Sequence, residues 1–325
     1  MSQEFSAGDA LPAPKRSERL RQRAAWMYFV EEMTQSAIAE VLGVGRVTVV
    51  RMLAEAKALG EVRIALSRGD AELGALEAGL CKFHGFSETI VAPLSSASAD
   101  PTAPIGAALG DHVSTLLRND MKIGLGWGRT LNRSLEYLQE RSLRGLNVVS
   151  LVGGVTHFAR DNPAEFPSAF AHAFNADCYL IPAPALVDSP ATKAALIERC
   201  GLGAVYDFAR TLDAVVVSVG SLEPEATVAR FALIGEAERK ALREYGGVGE
   251  MLCNVFDREG GIVDHPLNER VMSVPLEAVR AAPIRVLAAG GEHKLAAIGG
   301  AIKLLKPTTL VTDLMTARRL AEGGR

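Results

Sequence analysis

The sequence predicts an α/β protein in two parts: an N-terminal all-α winged helix-turn-helix head and a large doubly wound α/β domain. Three observations predict this. The helical stretch "TQSAIAEVLGVGRVTVVRMLAEAKALG" (34–60) is broken at Gly43 and Gly45, then resumes with arginines on it. From about residue 87 onward, short apolar runs alternate with helical ones, as in a parallel sheet covered on both faces. Glycine-rich loops follow three of those runs, and open α/β sheets bind ligands beyond their strand ends.

Composition supports two domains. The chain has 325 residues, of which 48% are hydrophobic and 22% charged, enough for a sizeable core on a soluble protein. Aromatics are only 6%, so Leu, Val, Ile and Ala must fill that core. Net charge is −3, which excludes a global field aimed at nucleic acid. "KRSERLRQR" (15–23) is locally basic, however, and can serve phosphate contacts. Cys81, Cys178, Cys200 and Cys253 form no CxxC pair, which argues against a disulfide or zinc framework and fits a reducing cytoplasm. No signal core or membrane-length apolar run is legible. No metal, cofactor or membrane partner is expected.

The elements follow in order. Residues 1–14 read as a disordered tail, 15–68 as the head, 69–86 as a linker helix and 87–325 as the large domain. "RLRQRAAWMYFVEE" reads as a packing helix with Trp26, Phe29 and Val30 inward. Thr34 is a natural N-cap. Ile38, Val41 and Leu42 fall on one face of the next helix, with small Ala39 allowing close packing. Gly43 supplies the positive φ of a sharp turn, and Val44 returns to the core. The second helix starts near Gly45 and turns Val49, Met52 and Leu53 inward. Its outward face then carries Gly45, Arg46, Val47, Thr48, Val50 and Arg51. In a helix-turn-helix that face enters the major groove. Arg46 can bridge guanine O6 and N7, Arg51 can hold a phosphate or a base, and the valines can touch thymine methyls. "GEVRIAL" alternates Val62, Ile64 and Leu66, compatible with a wing strand.

In the large domain, "ETIVAP", "MKIGLGW", "LNVVSLVGG", "CYLIPAPAL", "DAVVVSVG", "IRVLAAGG" and "TLVTD" read as strands between helices. The loops "GLGWGRT" (124–130), "VGG" (152–154) and "AGGEHK" (289–294) follow strands, and the first and third open helices. Backbone N–H groups there can approach an anion, with Arg129, Thr130 and Lys294 adding donors. Neither GxxxxGK[ST] nor a GxGxxG in context is present, which disfavours a nucleotide. His157, Arg160, Asp161, Glu165, Glu250, Asn254, Asp257, Thr312 and Asp313 could read hydroxyl groups, with Arg160, Glu250 and Asp257 the strongest candidates.

The helix-turn-helix followed by "GLGWGRT", "SLVGG", "PAPAL", "GGVGEMLCNVFDREG", "AAGGEHKLAAIGGAI" and "LVTDLMTARRL" resembles the SorC family of sugar-responsive transcriptional regulators, from about Arg19 to the C-terminus. The resemblance implies an effector domain of the sugar-phosphate isomerase and deaminase fold, a sugar phosphate or polyol effector, operator DNA as partner, and a homotetramer. It places Gly126, Gly128, Arg129, Thr130, Gly153, Gly154 and Lys294 at the family's effector loops, and Glu250 and Asp257 in its acidic segment. Two departures stand out. Gly45 replaces a frequent serine at the start of the recognition helix. Glu292 puts an acid in the third loop, where it would repel a phosphate if it pointed inward. The alternative is an isomerase- or deaminase-like enzyme with a DNA-binding head, but no clustered acid–base pair is legible.

Overall fold

The computed structural model describes residues 16–62, 71–96, 99–139, 141–155, 165–231 and 233–323. The chain forms two compact units, Met1–Arg68 and Gly69–Arg325.

The small unit contains helices α1 (Arg16–Phe29), α2 (Gln35–Leu42) and α3 (Arg46–Ala58). The Thr34 hydroxyl caps α2 by accepting from the Ala37 N–H at 3.2 Å. Gly43 ends α2 at φ 64°, a conformation that β-branched and bulky residues resist. The chain reverses there, and the Val44 N–H donates to the Ala39 carbonyl at 3.0 Å. Ala24, Ala25, Met27, Ile38, Ala39, Val49, Leu53 and Ala56 form the core, with Phe29, Leu42, Val44, Met52 and Val62 packed around it. Three expected core residues are on the surface instead: Trp26 (59% exposed), Val30 (55%) and Val41 (54%). The cause is rotation. Small Ala24 and Ala25 are the α1 residues buried together with Met27, which turns Trp26 outward. Arg21, read as part of a phosphate-binding stretch, forks onto Glu61 at 2.7 Å and reaches Glu55 at 3.0 Å. The tail (1–14) and most of the expected wing strand (63–66 of 60–66) lie outside the described residues.

The large unit begins with α4 (Ala71–His84), then β1 (Glu88–Ala92), α5 (Thr102–Leu116), β2 (Lys122–Leu125), α6 (Arg129–Ser134), β3 (Asn147–Ser150), α7 (Phe166–Ala173) and β4 (Asp177–Tyr179). Next come α8 (Pro190–Arg199), α9 (Gly203–Phe208), β5 (Ala214–Val217), α10 (Thr227–Arg230), α11 (Glu236–Glu244), β6 (Gly249–Met251) and β7 (Asn254–Phe256). The unit closes with α12 (Pro266–Glu269), α13 (Leu276–Ala281), β8 (Ile284–Ala288), α14 (Leu295–Leu305), β9 (Thr309–Asp313) and α15 (Leu314–Glu322). The helix read as a linker packs on this unit: Leu80 is buried with Val91 of β1 and Ala317 of α15.

The main sheet has seven parallel strands in the order β1-β9-β8-β5-β2-β3-β4. Alternate residues face opposite cores. Val215 and Val217 join one cluster, while Ala214 and Val216 join the other. Burial on both faces explains why these strands read as unbroken apolar runs. β6 and β7 form a separate antiparallel hairpin. The chain leaves β2 toward β3 on one side and returns later to place β5 on the other. The sheet order therefore reverses between β2 and β5, and a crevice opens there at the strands' carboxyl ends.

Candidate effector site and DNA-facing helix

That crevice is a cavity of about 120 Å³. Its wall draws on residues 100–105, 127–130 after β2, 218–227 after β5, the β6–β7 hairpin and 290–294 after β8. Of the candidate effector residues, Gly128, Arg129, Thr130, Glu250 and Lys294 meet in it. Gly128 sits at φ 136° just before α6, a region open to glycine. Arg129 donates to Asp100 at 3.1 Å. Asp100 also accepts from the Thr102 hydroxyl at 2.6 Å. That hydroxyl, more than Arg129, holds its carboxyl below the usual range.

Glu250 is buried, and its Oε2 accepts from the Cys253 N–H at 2.9 Å. This bond fastens an uncommon turn. Leu252 (φ 52°) and Cys253 (φ 64°) both take left-handed conformations in a two-residue hairpin loop where Asn-Gly is the usual choice. Such strain, of order 1–3 kcal/mol per residue, persists where its surroundings enforce it. Glu250 also lies against Gly220, whose missing side chain makes the room. Burial pushes the Glu250 carboxyl up, opposed by the Cys253 N–H and by Lys294. Burial likewise pushes Lys294 down, with Glu250 pulling it back up. His293 is pushed down by burial and by Lys294.

The other described candidates do not line the cavity. Gly126 is buried between Val217 and Leu252. Gly153 lets its chain approach the carbonyls of Ala183 and Pro184, and Gly154 exchanges backbone bonds of 2.8 and 2.7 Å with Ala183 and Ala185. Both glycines are packing devices. The Asp257 carboxylate accepts from the N–H groups of Glu259 and Gly261 at 2.8 and 2.9 Å, so it shapes its own turn. Arg160, with His157 and Asp161, lies outside the described residues. Glu292 turns away and pairs with Arg319 at 3.0 Å.

The third loop differs most from expectation. The Gly291 N–H, read as a donor for an external anion, already donates to Asp313 Oδ2 and Thr316 Oγ1, each at 2.9 Å. Asp313 also caps α15, accepting from the Met315 and Thr316 N–H groups at 2.9 Å and from the Thr316 hydroxyl at 2.6 Å. The loop carries its own anion. Sequence reasoning also passed over Asp100, Thr102, Trp127, Ser218, Ser221, Glu223, Glu225, Thr227 and His293 as cavity residues. Trp127 and Ser218, just after β2 and β5, carried the available signal in their place at strand carboxyl ends.

In the small unit, α3 exposes Gly45, Arg46, Val47, Val50 and Arg51, with Thr48 half-buried. Val47 is 83% exposed, on a face with Arg46 and Arg51. Among the described residues neither arginine has an ion-pair partner. No described helix is long and apolar enough to cross a membrane.

A helix-turn-helix head with a free basic recognition face, followed by a switch-point cavity, defines a ligand-controlled DNA-binding regulator. The family model "Putative sugar-binding domain" matches residues 71–322. The erythritol catabolism regulatory protein EryD of Brucella abortus is 30% identical, over 93% of this chain and 96% of that protein. The deoxyribonucleoside regulator of Bacillus subtilis is 28% identical, over 94% and 98%. The full-length sorbitol operon regulator SorC of Klebsiella pneumoniae superposes with a TM-score of 0.70 at 28% identity, covering 93% of this chain and 98% of that one. The chain belongs to the SorC family of sugar-binding transcriptional regulators. It is a DNA-binding transcriptional regulator with a sugar-binding effector domain, and the relatives named here are regulatory proteins.

Proposed function

We propose that α3 reads the operator and that a carbohydrate in the switch-point cavity sets operator affinity. Residues 15–68 act as the DNA-binding head, 69–86 as the connector and 87–325 as the effector domain. Arg46 and Arg51, with Gly45, Val47, Thr48 and Val50, form the DNA contact. Arg129, Thr130, Glu250 and Lys294 contact the effector. The observation that carries this reading is the convergence of those four residues on one cavity. The named relatives are an erythritol catabolism regulatory protein, a deoxyribonucleoside regulator and a sorbitol operon regulator, so the effector here is drawn from polyols, sugars and their phosphates. One head offers few base contacts, and paired half-sites are the usual remedy. The working form is accordingly at least a dimer and, by the family resemblance, a homotetramer.

The test is fluorescence anisotropy on DNA from upstream of the chain's own gene, titrated with and without a panel of such compounds. One compound should shift operator affinity by binding one state better than the other. No shift with any member, where the same compounds also leave the melting temperature unchanged, would refute the effector assignment. Light scattering that gives a monomer with and without DNA would refute the tetramer.

A further inference from the structure

We infer that Arg239, which does not line the cavity, is a positioning residue that fixes the cavity wall following β5. The inference deepens the proposed function and rests on the cavity being the effector site.

The first observation is where α11 reaches. The helix buries Arg239 and Leu242 and exposes Arg243. Nη1 of Arg239 donates to the Leu222 carbonyl at 3.1 Å. One turn on, Arg243 approaches the Glu223 carboxylate at 3.4 Å. Two consecutive residues at the start of the wall are thus held from one helix. Glu223, Glu225 and Thr227 of that wall line the cavity, and neither arginine does.

The second is that the same helix leads back to the cavity. The backbones of Gly220 and Glu250 exchange N–H to carbonyl bonds of 3.0 and 2.9 Å. The chain that leaves β5 to build the wall therefore returns beside its own start, and Glu250 enters the cavity there. Gly247, just past α11, lies so close to the wall that a Cβ on it would come within 3.2 Å of the Leu222 side chain. A displaced α11 would shift Glu223 and Glu225 relative to Glu250.

Burial is the third. Arg239 is 7% exposed, and its Nε has no partner among the described residues. A buried guanidinium on one carbonyl is a poor way to gain stability, because the charge loses its water and an apolar side chain of similar length would pack instead. What the guanidinium adds is a directed, charge-assisted bond to Leu222. Arg243 and Glu223 are exposed, so water screens their pair. The buried arginine is the one that sets the wall.

Arg239→Met in the full-length chain tests this, beside Arg239→Lys and Arg243→Ala. The readouts are the urea midpoint, amide hydrogen exchange by peptide, and acrylamide quenching of Trp127. The quenching is measured in a Trp26→Phe background, since those are the two tryptophans. Trp127 is 6% exposed and lines the same cavity. Arg239→Met should leave the urea midpoint unchanged or higher. It should also speed exchange over residues 221–231 at least roughly tenfold and raise the quenching of Trp127. Arg239→Lys keeps a donor and should restore part of both local effects, while Arg243→Ala should produce neither. A lower midpoint with exchange raised evenly across the large unit would assign Arg239 to folding alone and overturn the inference. Unchanged exchange over 221–231, or unchanged quenching, would overturn it too. These readouts use no added ligand, so such a failure leaves the effector assignment to its own compound panel.

Discussion

Arg46 and Arg51 of the head flank one exposed arc of α3, because an advance of about 100° per residue sets them at its two edges with Val50 and Val47 between. Asp100 and Lys294 of the large unit meet because a seven-stranded sheet brings the ends of β1 and β8 to the same crevice. The first arrangement is local and survives many changes elsewhere. The second depends on every element between its members. Damage to the fold should therefore reach the cavity readily, while damage to the DNA face should stay where it is made.

The largest effect that would break or sharpen this contrast is at Asp313. Its carboxylate accepts from three N–H groups and one hydroxyl, and it is 1% exposed. Asp313→Ala leaves the Met315 and Thr316 donors unpaired at about 1–3 kcal/mol each, while the Gly291 N–H keeps Thr316 Oγ1, and removes the α15 cap. The expected outcome is a loss of at least about 3 kcal/mol in urea denaturation, together with weakened effector binding. Asp313→Asn should recover part of it, because the amide oxygen still accepts. Wild-type stability in Asp313→Ala would show that the loop is held some other way.

Next is Lys294. Lys294→Ala should lose the ligand response, with affinity falling at least roughly tenfold, and should keep operator binding. An unchanged calorimetric titration would remove this lysine from the site. Smaller again is Arg46→Ala, expected to cost roughly 1–3 kcal/mol in operator binding if it reads a guanine. Ligand affinity should not change. Equal operator affinity in both the Arg46→Ala and Arg51→Ala variants would detach α3 from DNA recognition.

The two regions were also unequally legible. Thr34, Gly43 and the inward Val49 and Leu53 followed from helical periodicity alone, and so did the outward face of α3. Trp26 misled because a large aromatic suggests burial, yet the helix turned on its small alanines. In the large unit, apolar runs located the strands, and their glycine loops located one end of the sheet. Nothing local could show that Glu223, Glu225 and Thr227 would join the loops after β2 and β8, since only the strand order brings them there. Gly153 and Gly154 misled for a related reason. A glycine that admits a ligand and one that admits another backbone look alike until the neighbouring chain is placed. Asp313 was noticed as a polar strand end, but its bond to Gly291 crosses from β9 to the loop after β8.

The smallest effect is the one that separates a charge placed for binding from one placed for stability. Arg129 and Asp100 pair at 3.1 Å with side chains 54% and 62% exposed. At such exposure a pair contributes roughly 0–1 kcal/mol to folding, because water screens it and two long side chains lose freedom. Asp100 is held low mainly by the Thr102 hydroxyl, so its folded carboxyl loses its proton more readily than in the unfolded chain. The stability linked to that shift is present above the ordinary aspartate range, and it is lost only as pH falls through the lowered value. Arg129→Gln should therefore change the urea midpoint by less than about 1 kcal/mol equivalent, with no new pH dependence between roughly pH 5 and 8. Thr102→Val should raise the acid limb of the stability profile more than Arg129→Gln does. If Arg129→Gln proved the stronger of the two, the ion pair rather than the hydroxyl would be what sets this carboxylate, and the cavity's charge balance would hinge on it.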